Sequence, residues 1–216
     1  MISIIVPTYN RPDQLFKALA SIGAQKWPDF EAIVVNDGGQ DVSPICRRFD
    51  FATYLEHAAN CGLGAARNTG IRASRGEWIA YLDDDDRWDP SHLDVLMANS
   101  EGSHFLYTDA RYDDGITIRI MPSLSFSRAG LLQHNLMPVC CVMHSRWLIQ
   151  KVGLFDESLV SHEDYELWLR MAGVVPFKHI EVTTATVNIR QDPGRISCRR
   201  DMFADRTMIQ KRYMNG

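Results

Sequence analysis

The sequence predicts an α/β fold: a Rossmann-like, mostly parallel sheet flanked by helices. Three observations predict it. Apolar runs alternate with segments of helical periodicity through the first hundred residues, the pattern of strand–helix–strand units. The runs at 2–6, 30–35 and 78–82 are nearly uninterrupted, as in strands covered on both faces. Each run is followed by a polar loop, and in parallel sheets ligands bind beyond the carboxyl ends of the strands.

In order, the first strand covers 2–6 and Pro7 ends it, leaving Thr8-Tyr9-Asn10-Arg11-Pro12 as a polar loop. Leu15, Leu19 and Ile22 then recur at helical spacing. The second strand, 30–35, runs into Asn36-Asp37-Gly38-Gly39, a loop whose glycines let backbone approach a ligand closely. A helix over 42–49 and a strand over 51–56 follow. Leu63, Ala66 and Ile71 mark one side of a helix over 62–74. The fourth strand meets four consecutive carboxylates, Asp83-Asp84-Asp85-Asp86. Alternation along an extended chain sends Asp83 and Asp85 one way and Asp84 and Asp86 the other. Adjacent like charges repel, so water, basic side chains or a divalent cation must offset them. Mg²⁺ and Mn²⁺ prefer such oxygen ligands. A solvated acidic turn before a helix opened by Asp89-Pro90 accounts for the same residues without a ligand.

The second half is less regular. A helix is expected over 91–99, a hairpin from 105–112 and 116–121 around Asp113-Asp114-Gly115, and a short helix over 126–134. A strand over 139–144 and a helical turn over 147–152 come next. Ser161-His162-Glu163-Asp164 opens a helix to about 172, a late strand covers 182–189, and a basic-tinged helix covers 197–213. No linker-like stretch divides the chain, so residues 1–216 read as one domain.

Composition narrows the function. The net charge of −4 offers no bulk electrostatic case for nucleic acid. Five cysteines, Cys46, Cys61, Cys140, Cys141 and Cys198, are odd in number and follow no metal or disulfide spacing, which fits a reduced, cytoplasmic setting. The chain is expected to open on a strand without a signal peptide, and no apolar run approaches the roughly 18 residues of a membrane span. Arg199, Arg200, Arg206, Lys211 and Arg212 give the terminal helix either a solvated basic face or a peripheral contact to an anionic membrane.

Five blocks, in order, carry a resemblance. Ile4-Ile5-Val6-Pro7-Thr8-Tyr9-Asn10 with Val34-Val35-Asn36-Asp37-Gly38-Gly39, then Asn60-Cys61-Gly62-Leu63-Gly64-Ala65-Ala66-Arg67-Asn68, resemble the family 2 glycosyltransferases with the GT-A fold. Gly76-Glu77-Trp78 through Asp86, with Trp88 and Pro90, is similar to the block holding that family's DXD metal motif. Val152-Gly153-Leu154-Phe155-Asp156-Glu157 and Glu163-Asp164-Tyr165-Glu166-Leu167-Trp168-Leu169-Arg170 resemble its acceptor-side blocks.

The resemblance implies an inverting, metal-assisted transfer from a nucleotide-diphosphate sugar, a UDP-sugar first, to an acceptor hydroxyl on a glycan, glycolipid or small molecule. It implies a nucleotide-binding half over about 1–100 and an acceptor half over about 101–216. Pro7, Thr8 and Asn10 would cradle the nucleoside. Asp37 would accept from the base, as an acceptor-only carboxylate suits a ring N–H; by its own sequence setting it reads as a turn residue before two glycines. Arg67 is a diphosphate contact or a helix-surface arginine. Asp83 and Asp84 would lie near ribose and metal, and Asp85 would hold Mn²⁺ or Mg²⁺. Asp164 would be the general base, although Ser161-x-x-Asp164 is also a capping pattern. Trp168, one turn on, is a sugar platform or a core residue.

The chain departs from the family where some members carry a late histidine near the metal: Val187-Asn188-Ile189-Arg190-Gln191 has none. Arg190 is expected on the phosphates, or the segment as a lid hinged at Gly194. His134, His144, His162 and His179 show no ligand spacing and read as structural or surface residues. Sugar specificity is expected from 107–112 and 138–141. Two rivals remain. A sugar-1-phosphate nucleotidyltransferase opens with a Gly-rich loop, where this chain has Pro7-Thr8-Tyr9-Asn10. An inactive nucleotide-sugar-binding module on the same fold is the other.

Overall fold

A computed structural model describes residues 1–190 and 202–214. The strands are β1 Ile2–Thr8, β2 Phe30–Asn36, β3 Ala52–Glu56, β4 Trp78–Tyr81, β5 Arg87–Trp88, β6 Phe105–Asp113, β7 Ile118–Met121, β8 Val142–Ser145 and β9 Lys178–Asn188. The helices are α1 Pro12–Gly23, α2 Ser43–Cys46, α3 Leu63–Ala73, α4 His92–Ala98, α5 Arg128–Gln133, α6 Arg146–Val152, α7 Glu163–Ala172 and α8 Met202–Met214, with a 3₁₀ turn at Val139–Cys141.

One curled sheet runs through the chain in the order β3-β2-β1-β4-β8-β6-β9-β5, and β7 hairpins onto β6. β1 pairs in parallel with both β2 and β4, and β3 extends the parallel set. β8 is antiparallel to β4 and to β6, while β9 returns parallel to β6. Every residue of β1 is buried, which its unbroken Ile/Val run demands.

Helices then cover both faces. Leu15, Ala18, Leu19 and Ile22 form the buried stripe of α1, and Pro12 sits in its first turn, where no N–H partner is lost. They join Ile4, Val6, Val34 and Leu96 in one core. Ala66 and Ile71 of α3, with Trp168 of α7, pack on the other face against Ile5, Val35, Tyr81 and Phe105. Helix α3 approaches β1 closely because position 70 is glycine: a Cβ there would lie 2.6 Å from Ile5 Cγ2.

Several boundaries differ from expectation. Pro7 does not end β1; it continues the strand opposite Val35, where the pairing with β4 has already stopped at Ile5–Tyr81. The helix expected over 42–49 is the single turn α2. The strand expected over 139–144 begins with the 3₁₀ turn. Strand β5, only two residues long, went unanticipated. The terminal helix is described from Met202; Gly194, Cys198, Arg199 and Arg200 lie outside the described residues. Within α8, Arg206 donates to the Gln133 carbonyl and meets His134, and Arg212 pairs with Asp156, so both turn toward the protein. Among the described residues no helix is long and apolar enough to cross a membrane. Cys46, Cys61, Cys140 and Cys141 are free thiols.

The glycine after Asp37 is required by the fold. Gly38 has φ +75°, and a Cβ would stand 2.3 Å from the carbonyl carbon of Ala59. Left-handed backbone alone costs an L-residue roughly 1–2 kcal/mol, before the clash. Gly38→Ala is expected to lower stability by at least about 2 kcal/mol. A urea melt checks it; an unchanged midpoint would show that the loop relaxes freely.

Candidate active site

The carboxyl ends of β1, β2 and β4 open onto one cleft of about 790 Å³. Its walls are the Pro7–Arg11 loop, Asp37, the Asn60–Leu63 entry to α3, Asp83 to Asp85, and Glu157 to Val160. That volume is of the size small-molecule sites have, about 300–1,000 Å³. Asn10 and His162 are the non-glycine residues with positive φ among those described, at 56° and 57°; Asn10 lines the cleft and His162 follows two residues after Val160, which also lines it. Such backbone strain persists only where surrounding contacts over-determine it.

The four carboxylates are not on a strand. Asp86 N–H donates to the Asp83 carbonyl at 3.0 Å, closing a turn. The expected alternation survives: Asp84 and Asp86 are buried, Asp83 and Asp85 partly exposed. Asp84 accepts from Thr8 Oγ1 at 2.7 Å and from Arg11 at 3.3 Å. Burial pushes its carboxyl up to about 7, although Thr8 and Arg11 pull it down. Asp86 accepts from Asn188 N–H at 2.9 Å, and burial raises it well above the carboxylate range, helped by Asp85 and Asp83. Asp85 accepts from Arg11 at 3.2 Å. A guanidinium therefore already stands between Asp84 and Asp85. The pair calls for positive charge, and its donors are all hard oxygens, so the residues fit Mn²⁺ or Mg²⁺.

Arg67 is placed differently from expectation. It is 1% exposed and does not line the cleft. One Nη donates to Asp83 at 2.7 Å and the other to Glu163. Its Nε has no partner, and its guanidinium lies 5.6 Å from the Phe155 ring centroid. Burial raises the Glu163 carboxyl; Arg67 pulls it back, and Asp164 pushes it up again. Arg67 thus ties the acidic turn to the first residue of α7, and the diphosphate contact expected of it is not what its two Nη groups make.

Asp164 follows Glu163. Its Oδ2 accepts from Asn135 at 3.0 Å and its Oδ1 from Tyr165 N–H. Of the capping alternative, the Ser161 cap fails, while Asp164 does stand in the first turn of α7, where an acid complements the dipole. His162, in left-handed geometry, is the residue before the helix and no side chain caps it. The Ser161 hydroxyl donates to Asp205 of α8 instead.

Asp37 is engaged on both oxygens. Oδ1 accepts from Cys61 N–H at 2.8 Å and faces His57 Nδ1 at 2.7 Å; Oδ2 accepts from Gly62 N–H at 2.9 Å. This clamp holds the entry to α3 beside the cleft. His57 and Cys61 bring ligand atoms within 4.8 Å of Asp37, yet His57 Nε2 is taken by Thr69 Oγ1, so the cluster reads as a hydrogen-bonded clamp. Sequence reading missed His57 and gave Arg11 no role; the signal was their place, each just past a strand's carboxyl end.

Other expectations resolve simply. Trp168 is fully buried among Phe105, Tyr81 and Phe155, so it is core and no sugar platform. Arg190 pairs with Asp113 at 3.0 Å rather than reaching toward the cleft. His144 meets Tyr81 and His179 meets Asp109, structural roles as expected. Tyr107, Cys140 and Cys141 are fully buried and line no part of the cleft, contrary to their expected place in specificity.

Comparison with known proteins bears on the family and the fold. An uncharacterized glycosyltransferase of Rickettsia prowazekii is 31% identical over 88% of this chain and 65% of its own. One of Rickettsia typhi is 30% identical over 83% of this chain and 61% of its own. The chain thus spans under two thirds of the length of these relatives. WcaA of Escherichia coli, a putative colanic acid biosynthesis glycosyl transferase, is 29% identical over 79% of this chain and 66% of its own. The crystal structure of S. aureus TarS 1-349 in complex with UDP-GlcNAc superposes with a TM-score of 0.79 at 20% identity, covering 96% of this chain and 65% of that one. A Pyrobaculum calidifontis mannosyltransferase with GDP-Man and Mn²⁺ reaches 0.69 at 18% identity, over 89% and 58%. The fold is that of these GT-A neighbours. The model of the family described as glycosyl transferase family 2 matches residues 3–152, from β1 through the acidic turn to α6, and the chain belongs to that family.

Proposed function

We propose that the chain is an inverting glycosyltransferase that moves a sugar from a nucleotide-diphosphate donor, a UDP-sugar first, to a hydroxyl of a glycan, glycolipid or small molecule. The observation that carries this reading is the convergence of three strand-end loops on one cleft, with a second carboxylate segment tied to it through Arg67. Residues 1–100 form the donor half and the rest the acceptor half. Pro7, Thr8 and Asn10 cradle the nucleoside. Asp37 holds the α3 entry and offers its remaining lone pairs to a base N–H. Asp83 stands by the ribose, and Asp84 locks the first loop to the acidic turn through Thr8 and Arg11. Asp164 takes the acceptor proton.

Asp85 would hold Mn²⁺ or Mg²⁺, with Asp83 and Asp84 near it; a bound divalent cation neutralises the diphosphate leaving group. Asp85→Ala is expected to abolish the Mn²⁺-dependent part of UDP affinity while the fold persists, since one charge leaves a repelling cluster. Calorimetry with and without Mn²⁺ checks it, and unchanged Mn²⁺-dependent affinity would remove Asp85 from that role. The reading itself is tested by UDP release from a panel of UDP-sugars with Mn²⁺ against EDTA. Binding without release under every condition would favour the inactive module; no binding of any UDP-sugar would point to another nucleotide.

A further inference from the structure

The hairpin of β6 and β7 is apolar where it meets solvent. Ile116 at its tip is 92% exposed, Ile118 63%, Ile120 66%, and Met121 and Leu124 each 56%. Among the described residues the other exposed large apolar side chains stay below half, and one of them, Ile189, donates its N–H to the Asp113 carbonyl at the hairpin's base. A cluster of this kind on a folded surface marks something it touches.

The charges around it are of one sign. From 115 to 155 the sequence has no acidic residue, while Arg119 within β7 and Arg128, four residues past Leu124, are exposed. At the base, Arg87 and Arg190 share the buried Asp113, with side chains 47% and 57% exposed. Asp114, in the turn of the hairpin, is folded back onto the N–H groups of Ile116 and Thr117 and the Thr117 hydroxyl. Among the described residues of the hairpin, its base and Arg128, four guanidinium groups face the carboxylates of Asp113 and Asp114, leaving an excess of positive charge around exposed isoleucines. That combination is complementary to an anionic lipid surface, where apolar side chains enter the headgroup boundary and arginines meet phosphates.

We propose that this hairpin seats the protein on an anionic phospholipid bilayer. The place of the patch gives the seat a purpose. Leu124 N–H donates to the Leu136 carbonyl, and the adjacent Asn135 holds Asp164. A bilayer under the hairpin therefore lies on the acceptor side and would present a lipid-linked hydroxyl toward Asp164. That last step rests on the general-base reading of Asp164; the docking does not. A second copy pairing along β7 is the competing occupant, but the edge is four residues long and carries Arg119, features that discourage strand-to-strand association.

Co-sedimentation with phosphatidylcholine vesicles, with and without phosphatidylglycerol, tests the seat. Binding is expected only with phosphatidylglycerol, weakening as salt is raised. Ile116→Ser with Ile118→Ser is expected to lower partitioning at least about tenfold, given the apolar area withdrawn. Arg119→Gln with Arg128→Gln is expected to lower it about tenfold or more, at about 1 kcal/mol per arginine near the surface. Unchanged circular dichroism and melting temperature show that these exposed positions leave the fold alone. The proposal is overturned if phosphatidylglycerol vesicles do not retain the protein, if the variants bind as well as the parent, or if light scattering shows a dimer that the isoleucine variants dissolve.

Discussion

Asp164→Asn is expected to lower sugar transfer by at least about 10²-fold, the low end for general-base catalysis. An acceptor hydroxyl is not ionised near neutrality, so a base must take its proton as the new C1–O bond forms. The amide keeps the shape and the contacts. Its oxygen can still accept from Tyr165 N–H, and Asn135 can turn its own amide to present oxygen to the new NH₂. What disappears is the proton acceptor alone. Affinity for UDP-sugar and Mn²⁺ is therefore expected to stay unchanged, which separates lost chemistry from lost folding. Attack from the face opposite the diphosphate also predicts a β-linked product from an α-linked donor, readable by NMR of the product. Near-parental transfer by Asp164→Asn would reduce that carboxylate to a helix-start acid, and a retained α-linkage would exclude single displacement.

Arg67→Met is expected to destabilise the fold by about 3–5 kcal/mol, the range for removing one partner of a buried ion pair. The guanidinium is buried against Glu163 and Asp83, which lie on segments 96 and 16 residues away in sequence. Methionine fills much of the volume but leaves Glu163 ionised in a site that already disfavours its charge. The sign in pH follows. A buried carboxyl whose pKa is raised loses stability as pH climbs from its ordinary value through the raised one. Without Arg67 to oppose it, that loss grows, so Arg67→Met should be closest to the parent under acid conditions and furthest above neutrality. Adding Glu163→Leu should recover part of the loss, because replacing both partners by apolar groups removes the uncompensated charge. Denaturant melts across pH measure both. An Arg67→Met protein as stable as the parent at every pH would show that water solvates Glu163 adequately.

The legible part of this protein is the part written in contiguous residues. Ile2 to Val6 and Phe30 to Val35 announce buried strands because their apolar side chains are consecutive. Leu15, Leu19 and Ile22 announce α1 because their spacing is helical. The hairpin at Asp113-Asp114-Gly115 follows from turn chemistry, with Gly115 at φ +90°. Strand-end position alone was enough to group Thr8, Asp37 and Asp83 around one cleft.

Partner choice for buried polar groups was not legible. Arg67 looked like a surface or phosphate-binding arginine until α7 folded onto α3 and supplied Glu163. Asp84 was read beside ribose and metal, and only the fold showed Thr8 and Arg11 closing on it. His57 went unread because its two ring nitrogens find Asp37 and Thr69 across separate segments. Strand and helix formation depends on neighbours along the chain, so the sequence by itself determined the α/β class and the loops that meet. The partner of a buried charge is whichever distant group the packing brings within hydrogen-bond reach, and desolvation makes that pairing obligatory. Only the tertiary structure decided which carboxylates face the cleft, which are locked behind it, and which cation holds them apart.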